Sequence, residues 1–160
     1  MVLNGEEMAL EELERRVQVL EDIEAIKKLK ALYCLYCDDN FNADALVGLF
    51  ATDAVWEGDD LGRHQGHEAI RSFYKAIVRR LTFAIHYVAN PVIQVQGDRA
   101  HGTWYLLEPG TIENNQAIWI MGRYTDDYIK VDGRWLFSKV TLNILVRTPY
   151  EDGWAKQRLR

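Results

Sequence analysis

A chain of 160 residues, 48% apolar and 27% charged, has the composition of one globular domain and not of a disordered segment. At that length folding buries roughly two-thirds of the surface the unfolded chain exposes, so a continuous core can form. The net charge of −5 argues against nucleic acid as a partner, because sequence-independent binding needs an excess of Lys and Arg to displace the counterions around phosphates.

The acidic opening MVLNGEEMALEELERR has no apolar run of the secretory kind, and no later segment approaches the ~18 continuous apolar residues of a membrane span. A cytoplasmic chain with no membrane partner is expected. Leu10, Leu13, Val17 and Leu20 recur at steps of three and four, an apolar stripe on a helix. The stripe is short for a coiled coil and suits docking on the domain or on a neighbouring subunit. Its phase slips at EDIEA, where Asp22 is a candidate cap, and resumes as Ile23, Ile26, Leu29, Tyr33 and Tyr36; two helical segments or one bent helix follow.

NADALVGLFATD predicts a short helix capped by Asn42, and GHEAIRSFYKAIVRRL a further one with Ile70, Phe73, Ile77 and Leu81 on its apolar face. AVWEGDDLGRHQG between them reads as two short strands around a turn. From Leu81 onward the chain is strand after strand, with turn signals at QGDR, EPG and the Asp132–Gly133 hairpin pair. Helices first and a long meander afterwards define an α+β layout, with the helices packed on one face of a mostly antiparallel sheet. In the last strand Leu136, Ser138, Val140, Leu142 and Ile144 share one face while Trp135, Phe137, Lys139, Thr141 and Asn143 share the other, so both faces are expected to be covered.

Both cysteines lie in YCLYCDD, as Cys34 and Cys37. Structural zinc requires four ligands, there is no third cysteine, and His64, His67, His86 and His101 are scattered, so no metal site is expected. A redox pair belongs at a helix N-terminus, whereas these thiols sit late in a helix; they are read as packing groups. Asp38 and Asp39 stand at the helix end that disfavours negative charge, either as solvated turn residues or with one turned inward to hold a histidine. His86, in the strand FAIHYVAN beside Ala84 and Val88, is the candidate partner. A carboxylate on Nδ1 would leave Nε2 as a proton acceptor near neutral pH; the plain alternative is a hydrogen-bonded core histidine.

LEDIEAIKKLKALY, DRAHGTWYL and YTDDYIKVDGRWLF resemble the SnoaL-like branch of the nuclear-transport-factor-2-like superfamily, in particular the bile-acid 7α-dehydratase group, with scytalone dehydratase and hexachlorocyclohexane dehydrochlorinase as more distant relatives. The resemblance implies a cone-shaped α+β barrel over 22–147, preceded by a helical extension (1–21) and followed by a tail (148–160). It places the family's catalytic aspartate on Asp38, its histidine on His86, its cavity tyrosine on Tyr33 and its acid on Glu108. Glu108 shares a strand face with Trp104, or is an exposed acid before Pro109. Where the family carries a last-strand arginine this chain has Ile144 or Val140, which leaves Arg123 and Arg147 as possible replacements.

The function so implied is a cofactor-independent dehydratase or isomerase that removes a proton from a small apolar steroid-, polyketide- or aromatic-type molecule. Val140, Leu142 and Ile144 would line the cavity, with Trp56 and Trp104 as walls. The alternative is a non-catalytic binding or assembly domain, in which Asp38 and His86 need not touch. Relatives of this kind imply a homo-oligomer, a trimer or a dimer.

Overall fold

The computed structural model describes residues 5–156. The expected N-terminal extension begins, and the expected tail ends, in residues outside those described. Helix α1 (Gly5–Asp38) runs unbroken for 34 residues. No Gly or Pro interrupts it after Gly5, and Ala, Leu, Glu, Lys and Arg, all strong helix formers, dominate its sequence. The phase slip at Asp22 therefore marks a change of partner and not a break. Up to Leu20 the helix stands clear of the body, and beyond it Ile26, Leu29, Tyr33, Cys34 and Cys37 are buried. Asp22 caps nothing; it is buried, accepting from Trp135 Nε1 at 2.8 Å and pairing with Lys130 Nζ at 2.7 Å.

Asn40 and Phe41 take φ of 57° and 50°, a left-handed turn that ends α1 and reverses the chain. Helix α2 (Ala43–Val47) follows, with the Asn42 side chain accepting from Ala45 N. It is shorter than expected, because the chain enters strand β1 (Phe50–Gly58) directly; β2 (Gly62–Gln65), helix α3 (His67–Ile77) and strands β3 (Leu81–Ala84), β4 (Tyr87–Gln96), β5 (Arg99–Ile112), β6 (Gln116–Val131) and β7 (Arg134–Pro149) come next, then α4 (Gly153–Lys156). The seven strands form one sheet in the order β2-β1-β7-β6-β5-β3, with β4 also on β5. Among the described residues only the β1/β7 pair is parallel. The sheet curls as a half-barrel around the buried half of α1. At the β6/β7 turn Asp132 and Gly133 take φ of 49° and 77°, the double left-handed geometry of a tight hairpin.

Three local expectations are corrected. EPG is no turn: Glu108, Pro109 and Gly110 lie inside β5, and the reversal comes at 113–115, where Asn114 and Asn115 are left-handed. Pro109 is tolerated because its carbonyl, accepting from Ile85 N at 3.1 Å, faces the gap between β3 and β4, so its missing N–H leaves no ladder partner unpaired. His86 sits in that gap, outside either strand. Nor does β7 keep a single phase. Its pairing with β6 skips Ser138 (Tyr128 opposite Phe137, Asp127 opposite Lys139), so Trp135 and Phe137 and, past the bulge, Val140, Leu142 and Ile144 all point inward.

Candidate active site

His86 and Asp38 come from different elements, 48 residues apart in sequence. The end of α1 presents Asp38, and the strand gap frees the backbone of His86. Asp38 Oδ1 accepts both the His86 backbone N–H at 2.9 Å and His86 Nδ1 at 2.8 Å. Two bonds to one oxygen hold main chain and ring together, and Nδ1–H donating to a carboxylate leaves Nε2 with its lone pair. The ring is buried, with Phe41 edge-on to it at 5.9 Å between centroids, so the left-handed turn at Phe41 also walls the imidazole.

Nε2 points at Glu108, whose Oε2 lies 3.6 Å away. Glu108 is 3% exposed, in the middle of β5 and not at an exposed strand end. Burial pushes its carboxyl pKa up, and His86 offsets this in part. A carboxyl pushed toward its neutral form by burial thus stands beside the ring nitrogen that Asp38 leaves free.

Both groups line an apolar cavity of about 260 Å³. Tyr33 forms part of its wall and accepts from Trp56 Nε1 at 3.0 Å and from the Tyr74 hydroxyl at 3.1 Å. With both neighbours donating, the Tyr33 hydroxyl keeps its own proton to give. Burial raises the pKa of this phenol well above its ordinary value, which keeps it protonated. Trp56 is thus more than a wall: it orients Tyr33 while stacking on Phe73 at 4.1 Å. Sequence reasoning passed over Tyr74, although it completes an i, i+3, i+4, i+7 stripe with Ile70, Phe73 and Ile77 on α3.

Leu142 and Ile144 line the cavity, whereas Val140 and Trp104 lie in the core away from it. Trp104 Nε1 donates to the Tyr128 hydroxyl at 3.0 Å, which donates to Asp126 Oδ2, itself paired with Lys30 Nζ at 2.8 Å. That chain of buried polar groups ties α1 to the sheet. Cys34 and Cys37 are buried free thiols, and burial pushes Cys34 up to about 11, the opposite of a reactive cysteine. Among the described residues no three or more His, Cys, Asp or Glu groups gather as they would around a metal ion, and no helix is long and apolar enough to cross a membrane.

Two cations line the cavity, Arg80 and Arg147, and Arg147 comes from the last strand. Simple alternation puts it on the face opposite Ile144, but a second bulge, at Leu145, pairs Gly122 with Ile144 and Met121 with Val146 and so turns Arg147 to the cavity side. Gly122 permits this close approach, since a Cβ there would stand 2.8 Å from the Asn143 carbonyl oxygen. The guanidinium grips Asp60 of the β1/β2 turn with two bonds of 2.9 and 3.1 Å, and Asp59 accepts from Ile144 N at 2.6 Å. Arg123 is exposed and outside the cavity.

A half-barrel sheet closed by helices around an apolar cavity, with a buried histidine held by an aspartate, defines a cystatin-like α+β protein carrying the groups of general acid–base chemistry. The chain belongs to the SnoaL-like domain family, whose model matches residues 18–141. It is 31% identical over 97 residues to the gamma-hexachlorocyclohexane dehydrochlorinase of Sphingobium indicum; the match spans 59% of this chain and 62% of that protein, short of two-thirds of its length. The crystal structure of a hexachlorocyclohexane dehydrochlorinase from Novosphingobium barchaimii superposes with a TM-score of 0.77 at 28% identity, covering 84% of this chain and 93% of the other. A candidate scytalone dehydratase from Novosphingobium aromaticivorans, 22% identical, shares the fold with a TM-score of 0.75 over 88% of this chain and 91% of its own.

Proposed function

We propose that this chain is a cofactor-independent lyase or isomerase in which His86 is the general base. The observation that carries the proposal is the 2.8 Å bond from His86 Nδ1 to Asp38, with Nε2 turned toward a buried acid inside an apolar cavity. A binding-only domain has no need of that contact. Nε2 takes a proton from a carbon acidified by a neighbouring carbonyl, whose developing negative oxygen the Tyr33 O–H meets. The new carbon–carbon double bond expels hydroxide from the next carbon, and Glu108 supplies the proton that makes it water. Imidazolium and carboxylate then stand 3.6 Å apart, and one proton transfer between them restores both. Without a leaving group, returning the proton to another carbon shifts the double bond instead.

A cavity of about 260 Å³ lies at the lower edge of ligand pockets, which favours a one- or two-ring aromatic or polyketide-type substrate over a four-ring steroid of the bile-acid kind. Arg147, partly neutralised by Asp60, would bind a polar group at the rim. The second reading is loss of hydrogen chloride from a halogenated ring, favoured by the likeness to dehydrochlorinases. Chloride departs without a proton, so that reaction leaves Glu108 idle. The test is alkene formation from a panel of cyclic hydroxy-ketones and chlorinated rings. His86→Ala should abolish turnover, and equal turnover by this variant excludes His86 as the base. Glu108→Gln should fail selectively on the hydroxy-ketones; wild-type turnover confined to the chlorinated rings and kept by Glu108→Gln would reverse the order of the two readings.

A further inference from the structure

The first half of α1 serves neither the cavity nor the core. Leu10, Leu13, Val17 and Leu20 are 45–63% exposed. At 3.6 residues per turn these four centre roughly 170° around the helix from the buried side formed by Asp22, Ile26, Leu29, Lys30, Tyr33 and Cys37. An apolar stripe turned away from its own domain cannot be covered by it, so the expected docking on the domain is ruled out by geometry.

We propose that a second copy of this chain covers the stripe, two α1 helices pairing in parallel and in register. In heptad terms Leu10 and Val17 occupy a, Leu13 and Leu20 occupy d. Of the two a positions Val17 is β-branched, and with Leu at both d positions it favours two strands. Charge decides direction. Parallel pairing sets Arg16, at g, against the partner's Glu21, at e, twice by symmetry. Antiparallel pairing sets Glu14 against the partner's Glu14 and Arg16 against the partner's Arg16, both repulsive. Neither Arg16 nor Glu21 forms an ion pair among the described residues, whereas Arg15, at the outward f position, is already held by Glu12 at 2.7 Å. Beyond Leu20 the same side carries Glu24 and Lys28, so the seam ends after two heptads and the domains can diverge. Two heptads are short for isolated peptides, but here the helix is nucleated and anchored by the domain.

The test is disulfide trapping in the full chain under mild oxidation, read on a non-reducing denaturing gel. Leu13→Cys places one thiol per copy at a d position, where parallel in-register helices bring the two together. It should yield a covalent dimer, while Arg15→Cys, at f, should give at least tenfold less; the buried Cys34 and Cys37 are the same background in both. On the Leu13→Cys background Arg16→Glu should lower the yield several-fold, and adding Glu21→Arg should restore it. The proposal is overturned if Leu13→Cys links no better than Arg15→Cys, or if Arg16→Glu leaves the yield unchanged.

Discussion

Asp38→Asn isolates the charge of the proposed catalytic pair from its geometry. Asparagine keeps an oxygen where Asp38 Oδ1 accepts the His86 backbone N–H at 2.9 Å, so the backbone of the strand gap stays held. What it removes is the negative charge that stabilises the imidazolium once His86 has taken its proton. Two unit charges about 4 Å apart attract by about 4 kcal/mol at an effective dielectric of 20. The Asp38 side chain is 23% exposed, so solvent screening reduces this to about 2 kcal/mol. At 1.36 kcal/mol per tenfold, kcat falls by roughly 30-fold. KM should change little, because the interaction exists only as positive charge develops on the ring. Steady-state kinetics on whichever substrate the panel identifies, with a thermal melt to show the variant folded, is the measurement. A folded Asp38→Asn enzyme with kcat within threefold of wild type would refute the assignment of Asp38 as the charge behind His86.

Burial raises the pKa of Glu108, so the stability it contributes is full below its ordinary value of 4.5 and is lost as pH rises through the raised folded value. Glu108→Gln should flatten that decline in melts run from pH 4 to pH 8 or so; an unchanged slope would show that another group causes it. Tyr33→Phe strands the Trp56 indole N–H and the Tyr74 hydroxyl in a buried site, and urea unfolding should register a loss of about 1–3 kcal/mol. Lys30→Met leaves Asp126, whose Oδ1 already has no hydrogen-bond partner, as an uncompensated buried acid. The expected destabilisation is about 3–5 kcal/mol, and Lys30→Met/Asp126→Asn should recover more than half of it. A double variant as unstable as the single one would mean that the ion pair is not the source.

Periodicity was enough to read the α+β order of elements, because helices and strands announce themselves through local spacing. Asn42 as a cap and Asp132–Gly133 as a hairpin turn were legible for the same reason: each is a local conformational preference of two or three residues. Bulges are different. Ser138 and Leu145 carry no sequence mark, yet each inserts one residue, and in a strand of period two a single residue inverts every side chain beyond it. Alternation therefore divided the apolar residues of β7 between two faces and pointed Arg147 the wrong way. The EPG segment misled for a related reason. Proline and glycine signal a turn locally, but here the gap between β3 and β4 removed the hydrogen-bond partner that Pro109 would have denied.

By itself, then, the sequence determined the class of fold, the packing role of the cysteines and, through its motifs, the resemblance that placed Asp38, His86, Tyr33 and Glu108 together. Only the tertiary structure decided that Asp38 grips both the ring and the backbone of His86, that Trp56 and Tyr74 orient Tyr33, and that Arg147 lines the cavity. It also decided that the first apolar stripe of α1 faces away from its own domain. Each of these depends on the register of strands or the rotation of a helix over distances of dozens of residues. Spacing along the chain fixes the side on which a residue lies only within one unbroken element, and every one of these contacts joins two.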